Sequence, residues 1–320
     1  MLRQGGPVPV KPAPHPSPFF LKALGQILLY LAATVLIGAL LAPPLFWIAH
    51  AAAPHLHSAA FDAFVARTDF HRYFDRGITI AALILLWPLL RALQIEDFGY
   101  GLGLRRDRRG WRRICAGFAI ALGTMLLLFG ILFLTGLCRL RPHAEFARLA
   151  WQVPLTAFIV SVLEEVLFRG ALQGAVRKTT VDGFSMVVVA ILFAAVHFLK
   201  PAGSNVLPAD VHWWSGLAVL PDTLWLFRQP GLLLGGFSTL LLAGLILGYA
   251  RDRTRSLWFP IGLHAGWIIG EKGLMACTRH TEAWPWMGPD LPNTLVGLAP
   301  MLTLLVTWAI VWLILRDLQD

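Results

Sequence analysis

Residues 149–176 read LAWQVPLTAFIVSVLEEVLFRGALQGAV. Charge interrupts this run at Glu164, Glu165 and Arg169 and nowhere else. Its 28 residues exceed the roughly 20 that carry a helix across a hydrocarbon core. Working outward, seven further apolar stretches cover 23–49, 77–93, 114–137, 184–199, 231–250, 257–275 and 294–315. Together they predict an all-α polytopic transmembrane bundle of about eight spanning helices.

Composition agrees. Hydrophobic residues make up 57% of the 320 and charged ones 14%, against about 25% charged in soluble proteins. Mean hydropathy is +0.66. A soluble chain this apolar could not cover its surface with polar groups. This excludes a soluble enzyme, a disordered protein and a secreted disulfide scaffold. Cys115, Cys138 and Cys277 are widely spaced and form no metal or redox motif.

The first 22 residues form a Pro-rich tail, because proline does not sustain a helix. The apolar run after it is too long for a signal-peptide core. Pro43-Pro44 and this length favour a retained, kinked span over cleavage near Ala49-His50-Ala51. Residues 23–145 then hold the N-terminal membrane helices. With the N-terminus inside, seventeen Lys/Arg fall on the inner side and ten on the outer. The positive-inside bias therefore puts both termini in the cytoplasm. The net charge of +9 and the cluster Arg105, Arg106, Arg108, Arg109, Arg112 and Arg113 read as loops facing anionic lipid, with no nucleic-acid partner. Two connections, 50–76 and 200–230, exceed simple turns. The second carries His212, Trp213, Trp214, Trp225 and Phe227. It reads as an interfacial aromatic belt, or as a lid that contacts substrate.

Charge within a spanning helix is expensive, about 2.5–3.5 kcal/mol per group near the bilayer centre. Glu164 and Glu165 therefore call for partners or a role. Glu165 and Arg169 are four apart, with the acid N-terminal, the favourable order for an ion pair. Glu164 points about 100° away and is left without a local cation. That leaves it suited to general-base work. The run at 193–197, FAAVH, sets His197 one turn after Phe193. His264 lies among Gly262, Ala265 and Gly266, small residues that let helices approach closely. Glu164 and His197 both lie roughly 20 Å along their helices, and His264 about 13 Å. Tilted helices could bring all three into one layer. One Glu and two His suit either a zinc site or a base with polarising donors.

The ordered set EExxxR, FxxxH and a third helix with a histidine resembles the CPBP family. This family comprises CAAX prenyl endopeptidase and bacteriocin-processing membrane proteases, also called the ABI family. The resemblance covers residues 146–275 and leaves 276–320 as a C-terminal loop and last span. It implies an intramembrane endopeptidase in which Glu164 activates a water, His197 positions it and His264 stabilises the oxyanion. It also implies supporting roles for Glu165, Arg169 and Phe193, and a peptide or membrane-protein substrate in a bacterial-type plasma membrane. One bound zinc, held by Glu164, His197 and His264, remains an alternative within the same chemistry. Where the family often has Asn, four residues after the histidine, this chain has Ile268. Isoleucine donates no hydrogen bond, and Glu271 nearby donates only when protonated. Two other readings stay open: a catalytically weak or inactive member acting as a membrane binding or immunity protein, and a small-solute transporter. No inverted repeat supports the transporter. Substrate identity and oligomeric state are not legible.

Overall fold

The structure, a computed structural model, describes residues 18–95, 98–105, 109–141, 148–177, 183–199, 206–280, 284–288 and 296–317. Most of the Pro-rich tail, Arg106 and Arg108 lie outside them. Helix α1, Pro18–Leu56, runs through Pro43, Pro44 and Pro54. Helices α2, Ala59–Ala66, and α3, Phe70–Ala92, follow. The expected loop 50–76 is thus largely helical. Ser58 starts α2 by accepting a hydrogen bond from the Phe61 amide at 3.4 Å. This side chain–backbone cap marks a helix start that hydropathy does not register.

A short α4, Phe98–Leu102, leads to α5, Gly110–Leu134. Residues 148–177 are then helical throughout. A π-helical turn at Arg148–Gln152 precedes α6, Val153–Glu165. A second π-helical segment, Val166–Leu172, leads into α7, Gln173–Arg177. The chain continues with α8, Phe184–Val196, the short α9, Ser215–Ala218, and α10, Pro230–Thr254. It ends with α11, Trp258–Cys277, and α12, Leu298–Leu315. Strands β1, Cys138–Leu140, and β2, Thr278–His280, form a small antiparallel ladder with Cys138 opposite His280. The apolar reading had not anticipated this ladder.

The fold is all-α and polytopic, that of an integral membrane protein. Among the described residues, five helices are long and apolar enough to cross a bilayer: α1, α3, α5, α10 and α12. The three remaining stretches of the expected eight are also helical. Of these, α8 has 13 residues, about 20 Å, short of a full crossing. Helix α11 carries Glu271 and Lys272 in its later turns. The third, 148–177, holds the two glutamates and Arg169.

Helices meet where side chains vanish. A Cβ on Gly262 would collide with the Ile114 carbonyl, and one on Gly117 with that of Phe259. Hence α5 and α11 lie nearly backbone to backbone, as small residues permit in membranes. Gly38 and Gly77 do the same for α1 and α3, and Gly244 meets Ala190 between α10 and α8. Helix α12 packs on α10 and α5, and α6 packs on α11. Leu29, Ile84, Leu126, Leu134 and Leu313 stand exposed around the outside, while Glu165, Arg169 and Gln173 are buried. Apolar side chains outside and ionised ones within are what a lipid solvent selects.

Residues 206–228 pack against α1 and α3. Gly216 sits against the Ala39 carbonyl of α1. Val211 and Val219 pack with Phe46, Phe70, Tyr73 and Phe74. None of these described residues lines the cavity described next.

Candidate active site

Three helices deliver the polar groups. Glu164 and Glu165 end α6, His197 caps the C-terminus of α8, and His264 lies in the second turn of α11. Glu164 Oε2 is 3.5 Å from His197 Nε2 and 3.8 Å from His264 Nε2. The three side chains therefore converge, although 67 residues separate His197 from His264. They line one cavity of about 300 Å³.

Each imidazole is oriented through its other nitrogen. His197 Nδ1 is 2.7 Å from the Phe193 carbonyl oxygen. A carbonyl only accepts, so Nδ1 carries the proton. The i,i+4 spacing of Phe193 and His197 makes this contact local to one helical turn. His264 Nδ1 is 2.9 Å from Glu165 Oε1. Glu165, ionised beside Arg169, also only accepts, so this Nδ1 donates too. In the neutral rings both Nε2 atoms then present lone pairs to the Glu164 carboxylate. Such an arrangement needs protons or positive charge at its centre: a water, a protonated ring or a cation.

Beneath His264 lies a buried chain of contacts. The Arg169 guanidinium donates to Glu165 Oε1 at 3.0 Å and to the Gly244 carbonyl of α10 at 3.2 Å. Both side chains are fully buried. The guanidinium also lies over the Phe193 ring, 4.3 Å from its centroid, and the same ring meets the His264 ring edge-on at 6.0 Å. Phe193 thus orients His197 by its carbonyl while its ring contacts Arg169 and His264. Arg169 falls within the π-helical segment that begins just after Glu165. Such widened turns are rare and recur at functional sites.

The expected ion pair between Glu165 and Arg169 is present. The second partner of Glu165, His264, was not foreseen. The two residues are 99 apart in sequence, and helical spacing carries no information about such a contact. Ile268 and Glu271 line the cavity as their spacing from His264 suggests, and Trp267 and Lys272 join them. Exposure rises along this face, from buried His264 to exposed Lys272.

A metal ion would be held by Glu164, His197 and His264. Both Nδ1 atoms already have acceptors, the outer contacts typical of metal-bound histidine. The separations of 3.5 and 3.8 Å exceed the roughly 3.3 Å between ligands of a tetrahedral zinc with bonds near 2.0–2.1 Å. Among the described residues, no three His, Cys, Asp or Glu side chains form a closed ligand set. The donor chemistry fits an ion after a small contraction.

Residues 146–269 match the family described as Type II CAAX prenyl endopeptidase Rce1-like. No curated protein and no solved structure matches the chain. The matched span contains Glu164, Glu165, Arg169, Phe193, His197, His264 and Ile268. The segment that builds the site is thus similar to that family, over residues 146–269 of the 320.

Proposed function

We propose that the chain is an intramembrane endopeptidase of the CAAX-protease-like type. One observation carries the reading: a carboxylate and two imidazole Nε2 atoms face one another across 3.5 and 3.8 Å, in a cavity within the bundle. These gaps exceed a direct hydrogen bond, and the adjoining cavity has room for a water within reach of the carboxylate and an imidazole.

His197, with its proton on Nδ1, accepts one hydrogen of that water at Nε2. Glu164 Oε2 accepts the other. The oxygen lone pair is then free to attack a peptide carbonyl. Glu164 takes the proton as the C–O bond forms, and returns it to the amine nitrogen as the C–N bond breaks. His264, doubly protonated, donates from Nε2 to the oxygen that gains charge. Its Nδ1–H stays on Glu165, whose carboxylate balances the ring's charge, as the acid does beneath the histidine of a hydrolase triad. Arg169 holds Glu165 in place through their ion pair. A bound zinc would instead supply Lewis acidity and a more acidic water at the same residues.

Ile268 favours a second reading, a binding or immunity protein, because the position lacks the family's donor. A cleavage assay separates the two. Purified protein should cut membrane peptides, with a CAAX-type C-terminal peptide tried first, prenylated and unprenylated. Glu164→Ala should be inactive. A folded wild type that cuts none of a broad peptide set would support the binder.

A further inference from the structure

At the junction of α10 and α11, one guanidinium lacks a partner. Arg251 lies in the last turn of α10. Among the described residues it makes no hydrogen bond and no ion pair, and its Nε is buried and unmatched. An arginine that only snorkels sends its head out to water. Arg251 instead turns inward, onto the turn between α4 and α5. A Cβ on Gly103 would stand 2.9 Å from both its Cζ and its Nη2. Gly103 has a positive φ of 80°, and its carbonyl accepts from the Leu257 amide at 2.9 Å. The guanidinium is thus held between two turns of the chain. The residue stays partly exposed, and its Nη atoms, unlike Nε, are not sealed from the surface.

Charge around Arg251 is out of balance. Among the described residues, the acid whose charge acts on it is Asp252, and Asp252 pairs with Arg177 of α7 at 3.1 Å. Arg177 and the exposed Arg255 both repel it. The Arg105 carbonyl accepts from Trp258 Nε1 at 3.0 Å, which anchors a further arginine at the same junction. Several elements thus bring arginines together around a single carboxylate, and the missing component is an anion. A guanidinium fork matches the oxygens of a phosphate. Arg251 also ends a helix long enough to span, level with lipid headgroups, on the side that the Lys/Arg bias reads as cytoplasmic. We infer that Arg251, flanked by Arg177 and Arg255, forms a binding site for the phosphate of an anionic lipid headgroup. Three arginines against one carboxylate select a headgroup of net negative charge over a zwitterionic one. This is a defined site, in addition to the general attraction of basic loops for the membrane surface. None of its residues lines the candidate cavity, so it does not depend on the peptidase reading.

Native mass spectrometry of the full chain in detergent tests this, with titration of phosphatidylglycerol, phosphatidylcholine or inorganic phosphate and with melting temperatures taken with and without lipid. Wild type should hold one phosphatidylglycerol at least about tenfold more tightly than phosphatidylcholine, the size expected of hydrogen bonds between charged groups. Arg251→Met keeps the apolar stem and loses the charge. It should weaken phosphatidylglycerol binding at least about tenfold. Without lipid it should melt no lower than wild type, because the charge it removes has no partner there. Arg255→Gln, at an exposed position, should weaken binding about fivefold, and it carries the test if Arg251→Met does not fold. Arg91 is an exposed arginine of α3 lying over Trp87. Arg91→Gln removes the same charge outside the site and should bind within about twofold of wild type. Equal affinity of wild type for the two lipids would overturn the site, as would equal losses from Arg91→Gln and the site variants, or a lipid-free melting temperature lowered by Arg251→Met. Inorganic phosphate that binds as tightly as phosphatidylglycerol would overturn the assignment to lipid in favour of a soluble anion.

Discussion

Glu165 is the residue whose role changes most between chain and fold. In the sequence it is the partner of Arg169. In the structure its Oε1 takes hydrogen bonds from both Arg169 and His264, at 3.0 and 2.9 Å. Two predictions separate these duties. Glu165→Gln keeps an oxygen for His264 Nδ1 but loses the balancing charge. By analogy with the acid of a serine-protease triad, kcat should fall by about 10²–10⁴-fold with little change in KM; steady-state kinetics on a peptide substrate would check this. Arg169→Ala leaves a buried carboxylate without its cation, which typically costs about 3–5 kcal/mol. Folded yield and thermal stability in detergent should both drop. Normal stability with activity lost would move Arg169 to substrate contact. The pair at i,i+4 was legible because it is local. The His264 contact was not, because it depends on α6 packing against α11.

At the scale of the element, the site depends on how closely α11 approaches α5. Gly262 precedes His264 by two residues and meets the Ile114 carbonyl. The small residues around His264 were readable as a close-packing surface, but their partner helix was not. Gly262→Leu should force the two helices apart. Overpacking costs typically 1–3 kcal/mol and sometimes more, and here the obstacle is backbone, which yields little. We expect a lower melting temperature and loss of activity together. Gly273→Ala on the same helix, where an added Cβ meets nothing within 4 Å, should leave the melting temperature unchanged or raised. Equal effects at both positions would show that α11 does not depend on this approach. Hydropathy located the apolar stretches well and their ends less well. Polar residues 50–76 looked like a loop, yet much of that segment is helical. A side-chain cap at Ser58 and packing of Phe70, Tyr73 and Phe74 against α1 decide its structure.

At the scale of the whole molecule, the fold is a polar site inside an apolar bundle, and its direction in the membrane is a testable expectation. Arg251, Arg253 and Arg255 lie near the junction of α10 and α11, while the exposed Arg279 lies past the far end of α11. The twenty residues of α11 span about 30 Å. With the native cysteines replaced, Arg279→Cys should react with an impermeant maleimide in intact cells. Arg255→Cys should react only after the membrane is opened. The opposite pattern would reverse the orientation read from the Lys/Arg bias. Metal content is a second whole-protein property: protein purified without added metal should stay active after chelation if Glu164 alone activates the water, and should lose activity if an ion does. The central claim is that Glu164 serves as the base for water, and single-turnover cleavage by wild type and Glu164→Gln tests it most directly. The amide keeps the shape and loses the base, so the rate should fall about 10²–10⁴-fold while the melting temperature holds; a Glu164→Gln protein that cleaves at the wild-type rate would contradict the account.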